Sequence, residues 1–243
     1  MTIRAVGLPA AVHLAVFLLL LPLAAWLSAG RLATRPLPPR LPYFVSVIVQ
    51  QGVLLGFSLL VARAVGIDPI GNWPPVWPAA GWAAAMLIVA VATFRPTWVR
   101  QVRARHRRIY LFAPRTPPER RLWVGISAMA GIGEEISYRG VLFAILHWMT
   151  GSAAAAVAVA SVAFGLAHWV QGWRGAAAIT VFAAAFHGLV LATGSLHWAI
   201  LVHAGYDVIA GFSIGTLADR HGLPVDPPGD DALLSDSPAR TPS

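Results

Sequence analysis

Seven long apolar segments constrain the fold of this chain more than any other feature of its sequence. Each has close to the roughly 20 residues that a helix needs to cross about 30 Å of hydrocarbon. They run over residues 8–28, 43–65, 76–94, 122–148, 153–170, 175–193 and 196–216. Because backbone polar groups inside a bilayer must be paired within helices or closed barrels, the pattern predicts an all-α, polytopic transmembrane bundle of about seven spans.

The composition supports a membrane protein over a soluble one. The chain is 57% hydrophobic and only 12% charged, with a mean hydropathy of +0.67, which is far from the pattern of a soluble globular domain. We interpret the first segment as an uncleaved span rather than a signal peptide, because its flank carries only Arg4 and no polar stretch marks a processing site. The absence of cysteine excludes thiolate metal ligands and a cysteine nucleophile.

The net charge of +8 is concentrated in one loop. Nine of the 18 basic residues lie between Arg95 and Arg121, and all 18 are arginines. A basic loop between two apolar segments is typical of a cytoplasmic loop facing anionic lipid, so we expect lipid and no nucleic acid as a partner. The arginines alternate between loops in a way that places the odd loops and the C-terminus in the cytoplasm. The lack of lysine suggests a bacterial source.

The sequence divides into three regions. Residues 1–121 hold the N-terminal spans and the arginine-rich loop, and residues 122–217 hold the last four spans, where we expect the catalytic cavity. Residues 218–243 are rich in acidic residues and proline, which is typical of a disordered tail.

Charged residues inside the apolar segments require an explanation. Three acidic residues, Glu134, Glu135 and Asp207, fall inside predicted spans, together with Arg139. Each costs about 2.5–3.5 kcal/mol at a helix centre, so four together indicate a functional site. On a helix, Glu135 and Arg139 share a face at i and i+4, which predicts a structural ion pair. Glu134 points away from this face, so we expect it to have a catalytic role.

Two histidines extend the candidate site. His168 lies in the fifth segment, and His203 stands four residues before Asp207 in the seventh. Three helices can therefore bring a carboxylate and two imidazoles to one buried water or ion. Glu134, His168 and His203 match a catalytic zinc set with an open fourth position. Without a metal, the same groups can act as general base and oxyanion donors.

Other polar residues in the spans have simpler interpretations. His13, His147, His187 and His197 are expected at interfaces or in helix packing, and so is the pair Gln50-Gln51. Depth presents a difficulty, because Glu134 lies roughly 18 Å and His168 only about 3 Å from the cytoplasmic ends of their segments. A late entry of the fourth helix into the hydrocarbon, or a fifth helix continuing past Val170, would reduce the difference.

The motifs resemble those of the CPBP family of intramembrane proteases, which includes CAAX prenyl endopeptidases and bacteriocin-processing and Abi proteins. The resemblance covers residues 122–215. A glutamate pair followed by an arginine matches Glu134, Glu135 and Arg139. The Phe164–His168 spacing matches the second motif, and His203 with Asp207 matches the last.

The resemblance implies a CAAX-type intramembrane endopeptidase of the cell membrane. It implies that Glu134 and His168 activate a water, that His203 joins them, and that the residue at position 207 helps to hold the oxyanion or orient the site. Asp207 stands at a motif position where many family members have an asparagine. An ionised aspartate cannot donate to an oxyanion, so we expect it to orient His203 or bind an ion.

The resemblance leaves the metal and the substrate open. No HExxH sequence is present, which excludes a zincin-type site, and Zn²⁺ bound by Glu134, His168 and His203 remains one expectation. The substrate class could be a prenylated CAAX tail, a leader peptide or a membrane-protein segment. The alternative is a non-proteolytic protein, either a proton-coupled transporter or an immunity or scaffold protein. A transporter would show repeats and discontinuous helices, which the sequence does not clearly contain.

Overall fold

The computed structural model describes residues 7–72 and 76–225, with the side chains of residues 76–78 left out. Within these ranges the chain is helical and contains no strand. We number the helices α1 (Leu8–Thr34), α2 (Arg40–Val65), α3 (Val76–Arg103), α4 (Ile109–Phe112), α5 (residues 117–150), α6 (Ala153–Ala167), α7 (Trp173–Thr193) and α8 (His197–Arg220). The all-α bundle predicted from the sequence is confirmed.

Each apolar segment forms one helix of the bundle. Five helices, α1, α2, α3, α7 and α8, are long and apolar enough to cross a membrane, and α6 is a shorter apolar helix. The remaining segment forms α5, which carries the charged motif. Helix α5 contacts α2 along one side and α8 along another, while α6 pairs with α7 and contacts the second half of α1. The motif helix therefore lies at the centre of the bundle.

Two helices contain π-helical turns that the sequence analysis did not predict. Helix α1 has a π segment at Val16–Leu20. Helix α5 consists of Pro117–Glu134, a π segment at Glu135–Leu142, and Phe143–Thr150. All eight residues of the second π segment are buried. Because π turns are short interruptions of α-helices that are frequent at functional sites, this segment indicates that the motif is functional.

Helix α5 begins five residues earlier than the sequence suggested. Thr116 and Glu119 form a capping box, in which the Thr116 hydroxyl accepts from the Glu119 amide and the Glu119 carboxylate accepts from the Thr116 amide. Pro117 occupies the first helical turn, where its missing N–H costs nothing. The Glu119 carboxylate also accepts from Arg40 of α2 at 2.8 Å, which ties the two helices together.

A tight turn joins α5 to α6. Gly151 takes the left-handed conformation with φ +65°, and Ser152 caps α6 by accepting from the Ala155 amide. Helix α6 then ends at Ala167, and His168 follows as its C-cap. Helix α6, which corresponds to the fifth apolar segment, therefore does not continue past Val170. It has 15 residues and spans about 22 Å at 1.5 Å per residue, which is less than the roughly 30 Å thickness of the hydrocarbon.

The turn between α5 and α6 removes the difficulty with depth. Glu134 precedes Gly151 by as many residues as His168 follows it. Both residues therefore lie at about the same distance from the turn that joins their helices. The 3₁₀ turn Trp169–Gln171 then leads the chain into α7.

Contacts continue beyond the predicted end of the last span. Helix α8 reaches Arg220, so residues 218–220, which we assigned to the tail, are helical. Asp219 pairs with Arg115, and Arg115 also donates to the carbonyl oxygens of Leu223 and Pro224. Residues 226–243 of the predicted tail lie outside the described residues.

Candidate active site

Glycines allow the helices of the site to approach closely. A Cβ at Gly131 of α5 would lie 2.9 Å from Cβ of Ala204 of α8, which is shorter than real contacts of this kind. At Gly211, a Cβ would overlap the Trp123 indole, whose Nε1 donates to the carbonyl oxygen of Asp207 at 2.8 Å. These contacts bring α5 and α8 together on both sides of Asp207.

Glu135 and Arg139 lie side by side in the π segment. Arg139 Nη1 lies 3.1 Å from Glu135 Oε1, and both side chains are almost fully buried. The Arg139 guanidinium also lies over the Phe164 ring, 4.2 Å from its centroid. A buried charge needs such a partner, because isolating it from water without compensation is costly.

Glu135 has a second contact that the sequence analysis did not predict. Its Oε1 lies 2.8 Å from Nδ1 of His203. Because a carboxylate can only accept, the His203 Nδ1 carries the proton and donates it, which leaves Nε2 with a free lone pair when the ring is neutral. Glu135 thus orients His203, the role that we had considered for Asp207.

His168 is oriented in the same way by a backbone group. Its Nδ1 lies 2.8 Å from the carbonyl oxygen of Phe164, so Nδ1 donates and Nε2 is left free. The two rings lie 4.5 Å apart between centroids. The Phe164–His168 spacing of the motif therefore has a physical basis, because the helix end supplies the carbonyl and the aromatic ring supports the imidazole.

Glu134 faces both free imidazole nitrogens. Its Oε2 lies 3.8 Å from Nε2 of His168 and 3.7 Å from Nε2 of His203, and this oxygen is buried with no hydrogen-bond partner among the described residues. Its other oxygen, Oε1, accepts from Gln51 Nε2 of α2 at 2.6 Å. Oε2 of Glu134 therefore lies within 4 Å of both Nε2 atoms across a small space between α5, the end of α6 and α8.

Asp207 lies at the side of this space. Its Oδ2 is 3.7 Å from Nε2 of His203, on the same side as Glu134. It therefore faces the reacting space rather than the Nδ1 of His203. All four predicted catalytic residues, Glu134, His168, His203 and Asp207, are brought together by the fold.

Two cavities meet at these residues. The smaller, of about 90 Å³, is bordered by His203, Asp207 and aromatic side chains of α3 and α7. The larger, of about 490 Å³, lies between α1, α2 and α5 and is bordered by Glu134 and Gln51. His168 borders both. The prediction of a cavity walled by the last four spans describes the smaller one in part, because α3 also borders it, and does not describe the larger, because α1 and α2 form much of its wall.

The donor types fit zinc, since two imidazole nitrogens and a carboxylate oxygen are common ligands of a catalytic ion. Among the described residues, however, no three histidine, cysteine or acidic side chains are grouped closely enough to hold a metal ion. Zn²⁺ at Glu134, His168 and His203 therefore remains a prediction.

Gln51 is the site residue that the sequence analysis missed. The Gln50-Gln51 pair was visible as a polar interruption of the second apolar segment, and we interpreted it as helix packing. A polar amide inside an apolar segment is costly, and this cost was the available signal that Gln51 has a function. The sequence does not show its partner, because Glu134 is 83 residues away in the chain. Of the four other histidines that we assigned to packing, His13 pairs with Ser58 at 3.1 Å.

Comparison with known protein families finds a match over the part of the chain that contains the predicted catalytic residues. Residues 117–209 match the family model described as type II CAAX prenyl endopeptidase Rce1-like. The match starts at the first residue of α5 and includes all four candidate catalytic residues, and it confirms the resemblance inferred from the motifs. It covers fewer than half of the 243 residues. No curated protein and no solved structure matches the chain.

Proposed function

We propose that this multi-pass membrane protein hydrolyses a peptide bond with water activated by Glu134, because residues 117–209 match the family model of type II CAAX prenyl endopeptidases. The observation that carries the proposal is the free Oε2 of Glu134, faced by the Nε2 atoms of His168 and His203 at 3.8 and 3.7 Å. A buried carboxylate oxygen without a partner costs free energy, and its presence in a folded protein therefore indicates a function.

The proposed reaction needs only groups of this chain and water. Glu134 Oε2 accepts a proton from the water, whose oxygen attacks the carbonyl carbon of the scissile bond. The tetrahedral intermediate then collapses, the C–N bond breaks, and Glu134 returns the proton to the departing nitrogen. His168 and His203, when protonated at Nε2, donate to the developing oxyanion.

The supporting residues act by fixing these groups. Glu135 holds the ring of His203, and the Phe164 carbonyl holds that of His168. If Zn²⁺ binds, Glu134, His168 and His203 would hold it, and it would polarise the water and the carbonyl. The substrate proposed is a membrane-associated peptide, either a prenylated CAAX tail, a leader peptide or a membrane-protein segment, and the C-terminus is proposed to face the cytoplasm.

Cleavage in lipid tests the proposal. Purified protein in nanodiscs is incubated with quenched fluorogenic peptides that represent the three substrate classes, including a farnesylated CAAX peptide. We expect cleavage by the wild type and by His147→Ala, which changes an exposed histidine of α5, and a loss in Glu134→Gln. Metal analysis of the same samples decides whether Zn²⁺ is present. Equal cleavage by Glu134→Gln would contradict the proposal, and cleavage by no sample would favour the transporter or scaffold alternative.

A further inference from the structure

Helix α2 contributes directly to the site, although it lies outside the matched residues 117–209. Gln51 Nε2 donates to Glu134 Oε1 at 2.6 Å. The helices are close here, since a Cβ at Gly133 would lie 3.6 Å from both the backbone and the side-chain oxygens of Gln51. The contact is therefore part of the α2–α5 packing and not a chance approach of two flexible side chains.

The contact determines which oxygen of Glu134 is available. Gln51 occupies Oε1, and Oε2 is left facing the two histidines. A carboxylate that rotates freely would present its oxygens in turn and lose part of the benefit of a fixed reactant geometry. Gln51 is thus placed to hold Glu134 in the orientation that proton transfer requires.

The larger cavity, which we call the chamber, has the size expected for a ligand. Its volume of about 490 Å³ is within the range of about 300–1,000 Å³ for ligand pockets. The smaller cavity, at about 90 Å³, has room only for a few waters. The chamber runs along α1 and α2, with Ala24, Ser28 and Ser46 on its wall, and reaches Glu134 and His168.

We propose that the chamber between α1, α2 and α5 binds the peptide segment that is cleaved, and that Gln51 is the positioning residue that presents Glu134 to it. The proposal rests on the proposed function and adds a binding site formed largely outside the matched residues. Water then reaches the scissile bond from the smaller cavity, on the side of His203 and Asp207.

The role of Gln51 is tested by steady-state kinetics. We expect Gln51→Ala to lower kcat by about 10- to 100-fold with KM within about twofold of wild type, because the variant loses orientation of Glu134 and not substrate binding. Val53→Ala, at a 65% exposed position of the same helix, is the control and should leave both constants unchanged. A kcat within twofold of wild type would overturn the positioning role, and so would a loss of activity matched by a loss of folded protein.

The chamber is tested by photocrosslinking, which does not depend on cleavage. A benzophenone amino acid replaces Ala24, on the chamber wall, or Leu23, which is 52% exposed on α1 outside the chamber. Both are combined with Glu134→Gln and exposed to a biotinylated pool of the fluorogenic peptides. We expect at least about tenfold more labelling at position 24, removed by excess unlabelled peptide.

Two results would overturn the chamber as the binding site. One is equal labelling at positions 23 and 24. The other is preferential labelling through a benzophenone at Phe182, which borders the smaller cavity. If the wild type cleaves no peptide but position 24 is labelled specifically, the proposed hydrolysis fails while the binding site stands, so the two proposals are tested separately.

Discussion

At the scale of single residues, the site depends on which imidazole nitrogen carries the proton. Glu135 and the Phe164 carbonyl each accept from an Nδ1, and both Nε2 atoms are therefore left facing Glu134. The sequence predicted Glu135 as a structural partner of Arg139 alone. The structure gives it two partners, so this buried carboxylate links Arg139 to His203.

His168→Ala and His203→Ala should each lower kcat/KM by about 10²- to 10⁴-fold, because each removes one of two imidazoles around the reacting water. Since the three groups act on one water, a second substitution in Glu134→Gln should add little. Steady-state kinetics of the single and double variants provides the measurement. Additive losses would contradict a shared site.

Loss of Glu135 should destabilise the fold as well as the site. Glu135→Leu leaves Arg139 buried without its carboxylate, which should cost about 3–5 kcal/mol of unfolding free energy. In Glu135→Leu/Arg139→Leu much of this loss should be recovered, while activity stays low because His203 lacks its hydrogen-bond partner. Denaturant unfolding in micelles measures the free energies. A single variant as stable as wild type would disprove the buried ion pair.

At the scale of helices, close packing at glycine brings the proposed catalytic groups together. Gly131→Ala should lower both the unfolding midpoint and kcat, because its Cβ would force α5 away from Ala204 and so move Glu134 relative to His203. Gly56→Ala is the matched control: nothing lies within 4 Å of its Cβ position, and alanine is the better helix former. Equal effects of the two substitutions would argue against this packing.

The start of α5 should make the protein sensitive to acid. Burial alone would raise the pKa of Glu119, but hydrogen bonds from the Thr116 and Arg115 amides and the Arg40 guanidinium together hold this pKa below its ordinary value of 4.5. Because the folded pKa is the lower one, the stabilisation is present above about pH 4.5 and is lost as the pH falls through the folded value.

Thermal unfolding as a function of pH tests this contribution. Glu119→Gln should unfold at a lower temperature than wild type at pH 7, and the difference should shrink as the pH falls below 4.5. A difference that stays constant with pH would show that the charge of Glu119 is not what stabilises the start of α5.

At the scale of the whole molecule, local patterns predict the helices and the residues of the site. Hydropathy indicates where helices cross, and intramembrane charge identifies Glu134 and Asp207, because both signals are contained in short stretches of sequence. The π segment at Glu135–Leu142 was missed, since the sequence there fits an ordinary helix equally well. The contact of Gln51 with Glu134 was missed because it joins helices that are distant in the chain.

The segment that matches the family model is only part of the molecule. Residues 117–209 contain the four proposed catalytic side chains, while α1 and α2 supply Gln51 and most of the chamber wall. This division predicts that substrate choice varies with the N-terminal helices and that the chemistry stays with α5, α6 and α8.

The most direct test of the account is a single-turnover reaction in H₂¹⁸O, with excess protein over the best-cleaved peptide and mass analysis of the product. With wild type we expect one ¹⁸O in the new C-terminal carboxylate, because water itself attacks the carbonyl carbon, and with Glu134→Gln we expect a rate about 10²- to 10⁴-fold lower. Product without ¹⁸O would indicate attack by a protein carboxylate, and a wild-type rate in Glu134→Gln would show that another group activates the water; either result would contradict the central claim.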